Sequence, residues 1–209
     1  MASLFDAETR TRALAGAVFV AVVMGAVWLS PWTNYLLWMV VGVLGVLEYR
    51  KADPAGRPLG MFLIALAALS MAVWGWSPSL TYEPLHVLAF LWMVWANDTG
   101  AYLVGKPLGR HKLWPRVSPG KSWEGFLGGL MAAALVAGAV FGWSMMALGA
   151  AVGALATAGD LTQSAWKRRL GIKDSGTLIP GHGGILDRFD GFVYAAPMYW
   201  QFMRIFVLD

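Results

Sequence analysis

Acidic residues near the ends of apolar segments are the first side chains in this chain that could do chemistry. Five of them follow this pattern: Asp98, Glu124, Asp160, Asp187 and Asp190. Carboxylates are costly within a membrane, and those found there usually have a function. With lysine and arginine nearby, they suit a hard divalent cation that is bound to phosphate groups. Capping of a helix N-terminus is the alternative explanation for Asp187 and Asp190.

The stretch from 159 to 191 holds the densest group of polar side chains. If the apolar run before it continues as a helix, one helix face carries four of them, because residues three or four positions apart are neighbours on a helix. These four are Asp160, Ser164, Lys167 and Arg168. Cations and a carboxylate on one face suit a polyphosphate with its metal ion.

A glycine-rich segment follows this face. Glycines at 176, 181, 183 and 184 let backbone N–H groups come close to an anion. His182 lies among them, either as a turn residue or as a group that contacts phosphate or carries a proton. Asp187 and Asp190 then open the next helix, on one face of it. The chain has no Walker sequence, so a soluble nucleotide-binding fold is not indicated.

Seven apolar runs must hold these residues in place. They cover about 13–29, 32–47, 59–76, 84–103, 124–141, 144–159 and 189–207. Since a membrane-spanning helix needs roughly 20 residues, the chain is predicted to be an all-α polytopic membrane protein with about seven transmembrane helices. Loops on the cytoplasmic side are predicted to form the active site. We treat residues 1–209 as a single domain.

The composition agrees with this architecture. Hydrophobic residues make up 58% of the chain and charged residues 13%, whereas soluble domains are about a quarter charged. Fifteen of the 16 lysines and arginines fall in segments on one predicted side: 1–12, 48–58, 104–123 and 160–188. Positive residues favour the cytoplasmic side of a membrane, so the net charge of +4 needs no nucleic acid to explain it. Cysteine is absent, which excludes disulfides and a thiolate nucleophile.

Two blocks of polar residues have a recognisable spacing. The first consists of Ser164, Lys167-Arg168, Lys173-Asp174, Pro180, His182-Gly183-Gly184 and Asp187-Arg188-Phe189-Asp190. The second consists of Asn97-Asp98-Thr99-Gly100, Ser118-Pro119, Lys121 and Glu124-Gly125. Together they resemble the signature of the phosphatidate cytidylyltransferases, also called CDP-diacylglycerol synthases, over residues 92–195. Two positions depart from that pattern: Gln163 stands where the family commonly has Glu, and Gly120 where it often has Lys.

The resemblance implies transfer of the cytidylyl group of CTP to phosphatidate, which gives CDP-diacylglycerol and pyrophosphate with Mg²⁺ as cofactor. On this basis Asp160 and Asp187 are expected to hold the metal, with Asp190 as a ligand or beside it. The other expected catalytic residues are Lys167, Arg168, Lys173, Asp174, His182 and Arg188. The expected substrate-binding residues are Asp98, Ser118, Lys121, Glu124, Ser164, Gly183 and Gly184. A second metal ion and a homodimer are left open, and the expected location is a bacterial inner membrane with the site facing the cytoplasm.

Two other functions fit parts of the sequence. A CTP-dependent kinase for a polyprenol or another lipid alcohol would use similar helices, but it transfers the γ-phosphoryl group and needs a base for a hydroxyl. The pattern over 164–190 argues against it. A membrane transporter would place Asp98 and Asp160 on an ion pathway near the middle of the bilayer, whereas here they are predicted at helix ends among charged loops.

Overall fold

The computed structural model describes residues 7–73, 82–178 and 183–205, with side chains from residue 14 onward. This part of the chain contains seven α-helices, and each of them coincides with one of the predicted apolar runs. Their bounds are α1 Ala7–Leu29, α2 Pro31–Ala52, α3 Pro58–Val73, α4 Pro84–Leu108, α5 Trp123–Phe141, α6 Met146–Arg169 and α7 Phe192–Met203. The largely helical fold predicted from the sequence is therefore present.

Proline and capping residues explain where several helices begin. Pro31, Pro58 and Pro84 stand at the first positions of α2, α3 and α4, where a missing N–H costs nothing. Ser30 and Thr33 form a reciprocal capping box at the start of α2. At the start of α5, the Ser122 hydroxyl accepts a hydrogen bond of 3.1 Å from the Gly125 N–H. These local signals fix the helix ends to which the polar residues are attached.

Among the described residues, three helical segments are long and apolar enough to cross a membrane. They are Pro84–Leu108, Trp123–Phe141 and Trp143–Arg169, the last formed by a short 3₁₀ turn that leads into α6. Leu14–Leu29 and Pro58–Val73 are shorter apolar helices. An array of apolar helices, with several that could span a bilayer, is thus confirmed by length and composition.

A small β-hairpin interrupts the helical pattern between α4 and α5. Strands β1 (Lys112–Trp114) and β2 (Ser118–Ser122) pair antiparallel, with Lys112 opposite Ser122 and Trp114 opposite Ser118. The all-α prediction missed this hairpin. Pro115 and Pro119 prevent a helix in this segment. The short strands lack the alternation of apolar and polar residues that indicates a strand.

The structure differs from the sequence prediction a second time in the segment that precedes α7. Asp187 and Asp190 were predicted to open this helix, but the helix begins only at Phe192. Residues 185–192 instead form successive tight turns, in which the N–H of Arg188 bonds to the carbonyl of Ile185 and that of Phe192 to Phe189. The two aspartates therefore do not share a helix face.

Small residues bring α4, α5 and α6 close together. A Cβ added at Gly100 of α4 would lie 2.7 Å from the carbonyl oxygen of Gly128 in α5, too near for any other residue. A Cβ at Gly153 of α6 would lie 2.8 Å from Oδ1 of Asn97. Small residues permit such close helix contact in membrane proteins. The result is that Asp98 and Asp160 are carried on closely packed neighbouring helices.

Aromatic side chains join α7 to α2 and α4. The Phe90 ring lies 5.1 Å from that of Phe192 and 5.2 Å from that of Tyr199, measured between ring centres. Trp38 of α2 contacts Phe189 in an edge-to-face arrangement at 5.3 Å. All of these rings are buried. This core holds the turns around Asp187 and Asp190 against the rest of the helices.

Candidate active site

Asp160 is the central carboxylate of a polar group on α6. Its Oδ1 accepts a hydrogen bond of 3.1 Å from the Ser164 hydroxyl, one helical turn further on. Its Oδ2 forms an ion pair with the Lys121 ammonium of β2. The two paired side chains are 27% and 28% exposed, so water and ligands can reach them. Both partners of Asp160 are side chains rather than backbone groups, so an incoming ligand can replace them.

A cavity of about 560 Å³ opens beside this pair. We call it the Asp160 cavity. Its lining residues come from α4, the hairpin, α5 and α6, and they include Asp98, Tyr102, Lys106, Lys121, Phe126 and Asp160. Its volume is within the usual range for sites that bind small molecules. The predicted residues Asp98, Lys121 and Asp160 are therefore brought together around one open space.

Lys106 adds a second cation to the Asp160 cavity. It lies in the last turn of α4, and its ammonium donates a hydrogen bond of 2.8 Å to the Tyr102 hydroxyl. The side chain is exposed and carries a positive charge into the same space as Lys121. Two lysines beside carboxylates can bind an anionic ligand and balance its charge. Lys106 was not among the residues singled out from the sequence.

Asp190 lies close to this group, in the turn before α7. Burial raises the pKa of Asp190 to about 8, and the negative charges of Asp160 and Asp98 add to the rise, against the charges of Lys167 and Lys121. The three carboxylates thus repel one another across a small region. A bound cation would relieve this repulsion.

Asp187 has much tighter surroundings. Its Oδ1 accepts a hydrogen bond of 2.7 Å from the Lys167 ammonium, and the two side chains are only 5% and 10% exposed, respectively. Its Oδ2 accepts the N–H groups of Ser175 at 2.8 Å and Gly184 at 2.9 Å. Burial opposes ionisation of Asp187, but these donors outweigh it and leave the pKa of Asp187 below its ordinary value. Asp187 therefore joins α6 to both ends of the glycine-rich segment.

The glycine-rich segment surrounds carboxylates of the chain itself. Glu48, in the last part of α2, accepts the N–H of Leu186 at 2.8 Å. A Cβ at Gly176 or Gly184 would collide with the Glu48 carboxylate. Gly183 adopts a φ of +79°, which favours glycine, and lies against Asp187. Of the glycines predicted to bring an N–H group to an anion, Gly184 does so, and the anion is Asp187 of the chain itself; Gly181 lies outside the described residues.

Asp53 forms a similar contact at the C-terminal end of α2, where the turn to α3 begins. Its Oδ2 accepts a hydrogen bond of 3.0 Å from the Trp166 indole and one of 2.5 Å from the Arg169 guanidinium. The Trp166 ring stacks on Tyr49, with ring centres 4.9 Å apart. Sequence reasoning missed Glu48 and Asp53. The signal was present, because both are acidic residues at the end of an apolar run, like the five that were selected.

Several predicted residues lie apart from the Asp160 cavity. Glu124 accepts the backbone N–H of His111 and contacts its ring at 2.6 Å, so it fastens the hairpin to α5. Arg168 donates to the carbonyl of Ile172 beyond the end of α6. Lys173, Asp174 and Arg188 are exposed, and Ser118 is half-buried at the start of β2. Arg188 is near enough to act electrostatically on Asp98. His182 lies outside the described residues.

Within the described residues, no three histidine or acidic side chains converge closely enough to form a ready-made metal site. Magnesium bound to nucleotides needs only one or two protein carboxylates, and phosphates and water supply its other ligands. Asp160 is open to the cavity and Asp190 is crowded by like charges, so their oxygens fit that need. The metal assignments of Asp160, Asp187 and Asp190 stay predictions.

Fold and site together define a largely helical protein with bilayer-length apolar helices and a cavity that combines acidic and basic side chains. The family model for cytidylyltransferases matches residues 55–206. The chain accordingly belongs to the cytidylyltransferase family.

Individual relatives agree with this family. The chain is 44% identical over 125 residues to a phosphatidate cytidylyltransferase of Staphylococcus aureus, with 56% of this chain and 48% of that protein covered. It is 38% identical over 197 residues to a phosphatidate cytidylyltransferase of Haemophilus influenzae, with 84% of this chain and 68% of that protein covered. The chain thus spans about half the length of the Staphylococcus relative and about two thirds of the Haemophilus one.

Proposed function

We propose that this protein transfers the cytidylyl group of CTP to phosphatidate and releases CDP-diacylglycerol and pyrophosphate. The observation that carries the proposal is the Asp160 cavity, in which carboxylates and lysines surround a space large enough for a nucleotide. Membership of the cytidylyltransferase family and the names of the relatives at 38–44% identity support it. A kinase for a lipid alcohol has no observation in its favour.

The proposed reaction joins two phosphates without a protein nucleophile. An oxygen of the phosphatidate phosphate attacks the α-phosphorus of CTP and forms a new P–O bond. The bond between that phosphorus and the oxygen that leads to the β-phosphorus breaks, and pyrophosphate leaves with the electron pair. Both reactants are anions, so the barrier is lowered chiefly by positive charge around the reacting phosphates.

The lysines of the Asp160 cavity can supply this charge. Lys121 is paired with Asp160, and Lys106 with the Tyr102 hydroxyl. When CTP enters, both ammonium groups can turn to its phosphates over a short distance, because each is attached to a long and partly exposed side chain. Tyr102 and Phe126 line the same space and offer aromatic faces for the base. The cavity walls would thus hold the triphosphate and the cytosine together.

Magnesium is the cofactor that we propose for this site, with a second ion left open. Asp160 and Asp190 would hold it, while Asp187 stays a further candidate whose two oxygens already accept three hydrogen bonds. Bound there, Mg²⁺ would polarise the phosphates and stabilise the leaving pyrophosphate. Ser164 orients Asp160 by its hydrogen bond.

We further propose that the seven helices span a bacterial inner membrane and that the Asp160 cavity faces the cytoplasm. Large apolar side chains are exposed along the helices, for example Leu36 and Val43 on α2 and Phe62 on α3, and a bilayer would cover them. The basic segments that flank the cavity favour the cytoplasmic side. CTP would then enter from the cytoplasm and phosphatidate from the bilayer. A homodimer is compatible with this arrangement.

The test is a product analysis with the purified protein in phosphatidate-containing nanodiscs with Mg²⁺. CTP labelled at the α-phosphorus is expected to give a labelled lipid, and CTP labelled at the γ-phosphorus a labelled pyrophosphate. A lipid labelled from the γ-phosphorus would overturn the proposal in favour of a kinase. Asp160→Asn should lower the rate of product formation by about 100-fold or more. Glu83→Gln is the control, because Glu83 precedes α4 at its opposite end.

A further inference from the structure

A second cavity lies beside α6, separate from the Asp160 cavity. It has a volume of about 380 Å³ and is enclosed by the end of α2, the start of α3, α6 and the start of α7. We call it the Gln163 cavity. Its walls are mostly apolar and include Tyr49, Leu63, Ile64, Trp166 and Tyr194. Asp160 lines one cavity, and its close neighbours Gly159 and Gln163 on the same helix line the other.

Gln163 is the unusual wall residue of this cavity. It is 8% exposed, and neither its amide nitrogen nor its amide oxygen has a hydrogen-bond partner among the described residues. A buried amide without partners is unfavourable, and such groups usually have a partner such as water or a ligand. The Gln163 amide can both donate and accept. It therefore suits a ligand with ester or hydroxyl oxygens that lies among apolar side chains.

Two arginines belong to the same cavity. Arg169 is bound to Asp53. Arg57 is exposed, and it takes part in none of the ion pairs found among the described residues. A guanidinium that is free in this way binds phosphate strongly, because its N–H groups match two phosphate oxygens. The cavity thus combines an anion-binding group, an unpaired amide and an apolar wall.

We infer that the Gln163 cavity binds phosphatidate, the lipid substrate. In this arrangement Arg57 binds the phosphate monoester, the Gln163 amide bonds to the glycerol ester region, and an acyl chain lies along Leu63 and Ile64. A nucleotide has no long apolar part to cover the apolar wall. A plain hydrocarbon has no polar group to bind Arg57 or Gln163. This inference rests on the proposed function and adds to it an initial binding site for phosphatidate, on the opposite side of α6 from the Asp160 cavity, which the lipid phosphate must leave to reach CTP.

The first test measures steady-state kinetics in mixed micelles. Arg57→Ala and Gln163→Leu should each raise the KM for phosphatidate by about threefold to tenfold, the effect of a lost hydrogen bond or charge contact, and leave the KM for CTP unchanged. Leu63→Trp, which narrows the cavity, should raise the KM for phosphatidate as well. An unchanged KM for phosphatidate in all three variants would overturn the inference.

Matched controls separate this effect from a general loss of structure. Arg50→Ala removes an arginine from the exposed end of α2, which does not line the cavity, and Phe62→Trp adds bulk at an exposed neighbour of Leu63. Both are expected to behave as the unmodified protein. If they raised the KM for phosphatidate as much as the cavity variants, the cavity would have no special role and the inference would fail.

The second test detects binding without catalysis. Phosphatidate with a photoreactive diazirine in one acyl chain is incorporated into nanodiscs with the unmodified protein and irradiated, and the labelled peptides are identified by mass spectrometry. Label is expected on the segments around 57–64 and 193–194, and unlabelled phosphatidate should compete for it. Equal labelling by a phosphatidylglycerol probe would overturn the inference in favour of a site for anionic lipids in general.

The two proposals can fail separately in this experiment. If CDP-diacylglycerol forms but the label lies elsewhere, the cavity assignment is wrong and the proposed reaction stands. If the label lies in the cavity and phosphatidate competes, but no CDP-diacylglycerol forms with CTP and Mg²⁺, the lipid site stands and the proposed reaction is wrong.

Discussion

Asp160 and Asp187 have different surroundings, although both are aspartates of the same site and each is joined to a lysine. Asp160 is 27% exposed, lines an open cavity and is contacted by two side chains. Asp187 is 5% exposed and accepts three hydrogen bonds, two of them from the backbone. The partners of Asp160 are side chains that can move away at little cost, whereas two of the three partners of Asp187 are backbone N–H groups that the fold holds in place.

This difference separates two uses of a carboxylate. An ion pair that water can reach contributes little to stability. We therefore expect the importance of Asp160 to lie in ligand binding rather than in the stability of the fold. A buried ion pair is different, because removal of one partner leaves an uncompensated charge in the interior. We therefore expect Asp187 to hold the site together and Asp160 to take part in its chemistry.

The largest expected effect is that of Asp187→Ala. Loss of this carboxylate leaves the buried Lys167 ammonium and two N–H groups without their acceptor, which should lower the free energy of unfolding by about 3–5 kcal/mol. The melting temperature in detergent micelles should fall and activity should be lost with it. Addition of Lys167→Met removes the unpaired charge, and we expect it to restore part of the melting temperature but no activity.

Asp187→Ala can also disprove this interpretation. If the variant melts at the temperature of the unmodified protein and is nevertheless inactive, Asp187 would be free to bind a metal ion or substrate. The original expectation from the sequence, that Asp187 is a metal ligand, would then be the better description.

Asp160→Asn should have the opposite profile. The ion pair with Lys121 is accessible to water, so we expect the free energy of unfolding to change by less than about 1 kcal/mol. Cytidylyltransferase activity should fall by about 100-fold or more, because a charge at the reacting phosphates is lost. What remains should need a higher Mg²⁺ concentration. A variant that keeps full activity would remove Asp160 from the proposed chemistry.

Glu48→Ala tests whether a third carboxylate belongs with Asp187. The variant leaves the N–H of Leu186 without its acceptor, which should cost about 1–3 kcal/mol of stability. Glu48→Gln keeps an acceptor oxygen in the same place and should retain most of the melting temperature. If Glu48→Gln is as unstable as Glu48→Ala, the negative charge of Glu48 would be what the glycine-rich segment requires.

The sequence contains the information for the helices and for the candidate site, but not for the roles within that site. Apolar runs and prolines are local signals, so the seven helices could be predicted. The joining of Lys167 to Asp187 and of Glu48 to Leu186 depends on contacts across 20 and 138 positions, which no spacing rule reveals. Glycines at 176 and 184 indicate a nearby anion, and only the packing of α2 shows that Glu48 is one. The hairpin over 112–122 was missed for another reason, because its short strands lack the apolar alternation that indicates a strand.

The smallest expected effect is that of Glu124→Gln. Glu124 was predicted to bind substrate, but it contacts His111 at the edge of the hairpin and does not line the Asp160 cavity. The exposed pair contributes little, so we expect activity within about threefold of the unmodified protein and an unchanged melting temperature. His111→Gln should behave alike. A loss of activity comparable to that of Asp160→Asn, with an unchanged melting temperature, would show that the hairpin brings Glu124 to the substrate, and Glu124 would then belong with Asp160 rather than with the carboxylates that hold the fold.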